Sequence, residues 1–338
     1  LDAAKHSAIH VQAVHPDDNV GINLADELTP LNYYTILSDE EPASVYTNAN
    51  QRSFRITQPL QINMENDSLH MRFYSPVGIK EVTVMAKSPT MDEYVEFVYI
   101  DNIPAFADIK TSIKVLEKGL YRTESGKIQQ LSAEEVNPAS LSFKIACNDP
   151  YWTKISQIKA KWYIKFVLNG GNPVTGTPNK NWWGIRPVHC REAVALYLNI
   201  GYMCTLEKFQ QRVSTFQGKL LDNNRYPVDT STLISRLENL SGFDIGLIYS
   251  GNGVSGLGGG RTWGVYQKSF LYHYENSGGC CSTIFHELGH CLGYSHNSTM
   301  TYGQWASGCA DVFYKNNIKD FPVNSHTILK SRSNPNIY

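Results

Sequence analysis

The chain has 338 residues, 42% hydrophobic and 18% charged, with a formal net charge of −1. That size allows two globular domains, each able to bury its own core. A near-neutral chain without a basic run offers no electrostatic handle for nucleic acid or an anionic membrane. No apolar run reaches the ~18 residues of a transmembrane helix.

The first residues, Leu1-Asp2-Ala3-Ala4-Lys5, lack the apolar stretch of a signal peptide, so a mature or trimmed form is expected. From there the first half reads as β structure. Strand-like stretches fall at 52–56, 69–74, 80–86, 94–100, 142–147 and 157–168. Pro, Gly, Asn and Asp clusters separate them at short intervals, the pattern of an antiparallel sandwich of immunoglobulin-like or similar type. The last stretch alternates most clearly. Ile158, Ala160, Trp162, Ile164 and Phe166 fall on one face, with Lys159, Lys161, Tyr163 and Lys165 on the other.

Residues 169–180, rich in Gly, Pro, Thr and Asn, read as a linker. Beyond it the periodicity turns helical. Ala193, Leu196, Tyr197 and Ile200 recur at three-to-four spacing over 189–202, and further helices are expected at 206–216 and 231–240, the latter capped near Asp229 or Thr230. A buried strand follows at 243–249. Residues 251–260 contain six glycines and lack the GK[ST] ending of a phosphate loop; a backbone that bends or closely approaches another chain suits them better. Residues 261–274 read as extended, and a helix is expected to begin near Cys281.

Cys147, Cys190, Cys204, Cys280, Cys281, Cys291 and Cys309 form no CxxC pair, which argues against a structural zinc site. Disulfides around the last helix and buried free thiols both fit the spacing. Sequons stand at Asn66, Asn239 and Asn297. A glycan on Asn297 would crowd the neighbouring His296, which favours a bacterial secreted or surface protein that leaves the sequon unused.

The richest stretch is His286-Glu287-Leu288-Gly289-His290-Cys291-Leu292-Gly293-Tyr294-Ser295-His296. Residues four apart share a helix face, so His286 and His290 can offer two nitrogens to one metal. Gly293 can take positive φ, end the helix and bring His296 round as a third ligand. Three imidazoles leave one tetrahedral position for water, and Glu287 stands beside it to accept a proton. With this composition the full pattern arises by chance in roughly a few chains in a hundred thousand. Non-haem iron is disfavoured, since that chemistry prefers two histidines and a carboxylate.

The run resembles the HExxHxxGxxH signature of the metzincin clan of zinc endopeptidases, and Ser298-Thr299-Met300-Thr301-Tyr302 resembles the clan's methionine turn. The step from His296 to Met300 is shorter than in astacins and serralysins. The resemblance covers about residues 185–310 and rests mainly on 286–302. Taken with the strand-rich first half, it gives an α+β protein in two domains, a β-sandwich accessory domain with an N-terminal extension at 1–170 and, implied by the resemblance, a zincin-like catalytic domain at 171–338. It further implies Zn2+ on His286, His290 and His296, Glu287 as general base, Met300 beneath the metal and Tyr302 as a ligand or oxyanion donor. The glycine-rich segment becomes the rim that pairs with extended substrate. Trp305 is expected to line a side-chain pocket. The expected partner is a protein or peptide, glycoproteins included, cleaved by a monomer that is secreted or held at the cell surface. The competing expectation is a surface adhesin or glycan-binding protein with a structural or degenerate zinc site.

Overall fold

The computed structural model describes residues 9, 11–16, 22–28, 30–39, 52–66, 68–112, 120–131, 137–167, 177–271, 273–274 and 280–324. It is an α+β protein with antiparallel sheets. Its contacts divide into two compact units, one of Leu1–Ile36 with Pro59–Thr153 and one of Leu37–Gln58 with Lys154–Tyr338. No helix among the described residues is long and apolar enough to cross a membrane.

In the first unit, strands β1 (Val11–Pro16), β2 (Ile22–Leu28), β7 (Ile79–Lys87), β8 (Val95–Ile103) and β12 (Ser142–Ala146) form a sheet ordered β12-β7-β8-β1-β2. A second sheet runs β3-β9-β6-β5, from β3 (Pro30–Thr35), β9 (Ala107–Ser112), β6 (Ser68–Phe73) and β5 (Leu60–Glu65). Every pairing in both is antiparallel. β10 (Leu120–Arg122) and β11 (Ile128–Gln130) make a separate hairpin. Strand alternation builds the core. In β6, Leu69, Met71 and Phe73 turn inward, and they join Val82, Val84, Val98 and Ile100 of the other sheet in one apolar cluster. A short helix, α1 (Pro150–Ile155), follows β12.

The second unit is built on a mixed sheet ordered β16-β17-β15-β13-β4, with β14 (Trp182–Trp183) paired to β15. Its strands are β4 (Ser53–Arg55), β13 (Tyr163–Phe166), β15 (Gly242–Ile248), β16 (Gly256–Gly259) and β17 (Thr262–Val265). β15 runs parallel to β13 and β17, and β16 returns antiparallel as one edge of the sheet among the described residues. The alternation read over 157–168 is present in the burial. Ile158, Ala160, Trp162, Ile164 and Phe166 are all buried, although only four residues of that stretch pair as a strand. They pair within the second unit, with β4 and β15.

The α-helices that follow α1 among the described residues are α2 (Pro187–Thr205), α3 (Glu207–Ser214), α4 (Thr230–Glu238), α5 (Gln267–Leu271), α6 (Cys280–Cys291) and α7 (Val312–Asn317). α2 does not present one apolar stripe. It is buried on all sides, and His189, Arg191, Glu192 and Asn199 are buried along with its apolar residues. Trp162, Tyr197, Phe243 and Trp263 pack edge-on or stacked between α2 and the sheet. α4 starts where Asp229 accepts from the Ser231 amide, the capping expected of an aspartate there. The extended reading of 261–274 holds only for β17; Gln267–Leu271 is helical, turning Phe270 and Leu271 into the core.

Candidate metal centre

α6 carries His286 and His290 one turn apart. The helix ends at Cys291, and Gly293, at φ 95°, reverses the chain. The Gly293 amide donates to the His290 carbonyl at 2.9 Å and the Tyr294 amide to the Gly289 carbonyl at 3.1 Å, closing the helix end. The turn delivers His296. Its Nε2 lies 3.0 Å from His290 Nε2, which is 3.1 Å from His286 Nε2. Nitrogens held about 2.0–2.1 Å from one tetrahedral ion lie about 3.3 Å apart. The three-histidine group could therefore hold a metal ion.

Two further observations fit that use. The Nδ1 atoms of His286 and His290 lie against the Thr301 and Tyr294 carbonyls, the latter at 2.7 Å. Donation there leaves each Nε2 lone pair free for a ligand. Burial also holds the two rings neutral: the His286 pKa is pushed down to about 4, and that of His290 below the usual imidazole value. Glu287 supplies the second observation. Its carboxylate is buried, its Oε1 lies 3.8 Å from His286 Nε2, and its Oε2 has no hydrogen-bond partner among the described residues. A buried orphan acceptor is costly and calls for a donor such as water. Burial raises the Glu287 carboxyl to about 7.

Met300 is fully buried, and its backbone passes so close to α6 that a Cβ on Gly289 would meet the Met300 carbonyl at 2.5 Å. Tyr302 is exposed, its ring centroid 4.5 Å from that of His286 and 5.2 Å from that of His296. Sequence spacing thus named residues that the fold gathers within one small region. An open depression lies between the end of β16, at Gly258 and Gly259, and residues 293–297. Trp305 does not line it: the indole is fully buried, 6.4 Å from Phe209. His189 and His273 are buried in the core and do not join the three-histidine group, while His326 lies outside the described residues.

No family model, curated protein or solved structure matches the chain.

The braces of the turn carry no sequence signature. Asn223 accepts from the Ser295 amide at 2.7 Å and donates to the Gly293 carbonyl at 3.2 Å. Leu221 and Thr299 exchange hydrogen bonds, and Arg225 donates to the Asn297 carbonyl at 3.0 Å. Their only hint was the Asp222-Asn223-Asn224 cluster, which reads as a loop and nothing more. Of the cysteines, Cys147, Cys204, Cys291 and Cys309 are free thiols; the side chains of Cys280 and Cys281 lie outside the described residues. Burial pushes the Cys291 and Cys309 thiols up to about 11, which makes them unreactive fillers.

Proposed function

We propose that the chain is a zinc endopeptidase of metzincin type. On this reading the first unit is an antiparallel β-sandwich accessory domain and the second a zincin-like catalytic domain, in a protein that is secreted or held at the cell surface. The observation that carries the proposal is the convergence of three imidazole Nε2 atoms beside a buried carboxylate whose Oε2 has no hydrogen-bond partner among the described residues. An adhesin with a purely structural site has no use for that orphan acceptor.

Zinc on His286, His290 and His296 would lower the pKa of a water and polarise the scissile carbonyl. The remaining work belongs to the chain. Glu287 takes the proton of the attacking water and passes it to the leaving amine nitrogen. Tyr302, its ring tilted against two of the imidazoles, offers its hydroxyl to the oxyanion. Met300 forms an apolar floor and moves no proton. β16, as a sheet edge, leaves backbone donors and acceptors for an extended peptide, so recognition makes little demand on side chains.

The test is purified protein against a broad peptide library, with Glu287→Ala as the control. Hydrolysis is expected, abolished by chelation and restored by zinc, with kcat lowered about 10²–10⁴-fold in the variant. Zinc binding without any hydrolysis would favour the adhesin with a structural site instead.

A further inference from the structure

β16 lies directly on α6, and its alternation turns Gly256 and Gly258 to the same side. A Cβ on Gly256 would stand 2.2 Å from Glu287 Oε1, 2.8 Å from its Cδ and 2.9 Å from its Cγ. On Gly258 it would stand 2.6 Å from Glu287 Oε2, but also 2.7 Å from the Glu287 carbonyl oxygen and 3.0 Å from its Cα. Neither glycine has positive φ, so backbone conformation does not demand them. Clearance does. The three atoms nearest a Cβ at Gly256 all belong to the glutamate side chain, whereas at Gly258 two of the three belong to the helix backbone.

The geometry points to Gly256 and Gly258 as positioning residues for Glu287. The bare backbone of β16 is the wall against which the carboxylate rests, and it holds Oε1 beside His286 Nε2. One added carbon at 256 drives the carboxylate out of place while the strand stays. One added carbon at 258 lifts the strand from the helix. The inference deepens the proposed peptide hydrolysis and rests on it for its kinetic consequence, but the packing it describes is measurable without activity.

Thermal unfolding of the metal-free full chain, in a double-mutant cycle, tests it. Gly256→Ala is expected to lower Tm in the native background and not in Glu287→Ala, because that substitution removes all three clashing atoms. Gly258→Ala is expected to lower Tm in both backgrounds, because the Glu287 carbonyl and Cα remain. A Gly256→Ala cost that is equal in the two backgrounds, or absent from both, overturns the inference. In the zinc-loaded enzyme, Gly256→Ala should lower kcat about tenfold or more with KM and zinc affinity unchanged. An unchanged kcat in an active enzyme also overturns it. If the wild type cleaves no peptide, the proposed function fails, and the unfolding cycle alone decides the role of the glycines.

Discussion

His286 and His290 are held by a helix, but His296 comes from a turn, and a turn is only as firm as its braces. Asn223 is the chief of these, bonding the backbone at Gly293 and Ser295 on the approach to the third imidazole. Asn223→Ala removes both bonds and leaves His286 and His290 untouched. Zinc affinity is expected to fall about tenfold, the usual cost of losing a supporting contact behind a ligand, as read by competition with a chromophoric chelator. An affinity equal to wild type would show that the Leu221–Thr299 pairing and the Arg225 bond to Asn297 hold the turn without Asn223. The contrast with the histidines explains what was readable at this scale. His286, Glu287, His290, Gly293 and His296 announce themselves because a spacing that suits a metal ion falls within one short run. Asn223 lies 73 positions before His296 and acts on backbone atoms, so its role exists only once the chain has folded.

Among elements, β6 shows how one strand divides its work between faces. Leu69, Met71 and Phe73 enter the core, while Ser68, His70 and Arg72 face outward. His70 bridges two carboxylates, with Nε2 2.6 Å from Asp108 and Nδ1 2.9 Å from Glu65, and Lys110 donates to Glu65 at 2.6 Å. The Asp108 hydrogen bond, with a further contribution from Glu65, raises the His70 pKa above the ordinary imidazole value. The folded state therefore binds this proton more tightly than the unfolded chain does. The bridge contributes fully below the unfolded pKa of about 6.5, as long as the carboxylates stay ionised, and the contribution disappears as pH rises through the folded value. The Tm gap between wild type and His70→Gln should thus be widest near pH 6 and shrink as pH rises through the raised folded-state value; a gap that is constant with pH would remove the proton linkage. Period-two patterning made β6 legible from the sequence. α2 was legible only as a helix. Its buried Arg191 and Asn199 look solvent-facing in the sequence and are accommodated by partners far along the chain. Arg191 reaches the Leu37 carbonyl and Asp39, and Asn199 reaches Tyr314 and the backbone of Val323.

For the whole molecule, the change from strand-like to helical patterning near residue 170 is a change of element type, and folding units need not follow it. β13 precedes the glycine-rich segment, yet it lies inside the sheet that carries β16, and β4 comes from earlier still. Parallel and long-range pairings leave no local trace in a sequence, because the partner strands are recognised by burial and not by spacing. A fragment beginning at 171 would lose Trp162, Ile164 and Phe166, all buried against α2 or the sheet. Burying each is worth about 1.5–3 kcal/mol or more, and the sum rivals the roughly 5–15 kcal/mol that stabilises a whole domain. Trp162 would also leave the Leu237 carbonyl without its 2.9 Å donor. The fragment 171–338 is therefore expected to be insoluble or to lack a cooperative thermal transition by circular dichroism. Adding residues 154–170, which restores β13 and Trp162, should recover a transition at a lower temperature than that of the full chain, since β4 would still be missing. A sharp, native-like transition from 171–338 alone would show that the second unit tolerates the loss of its own sheet interior.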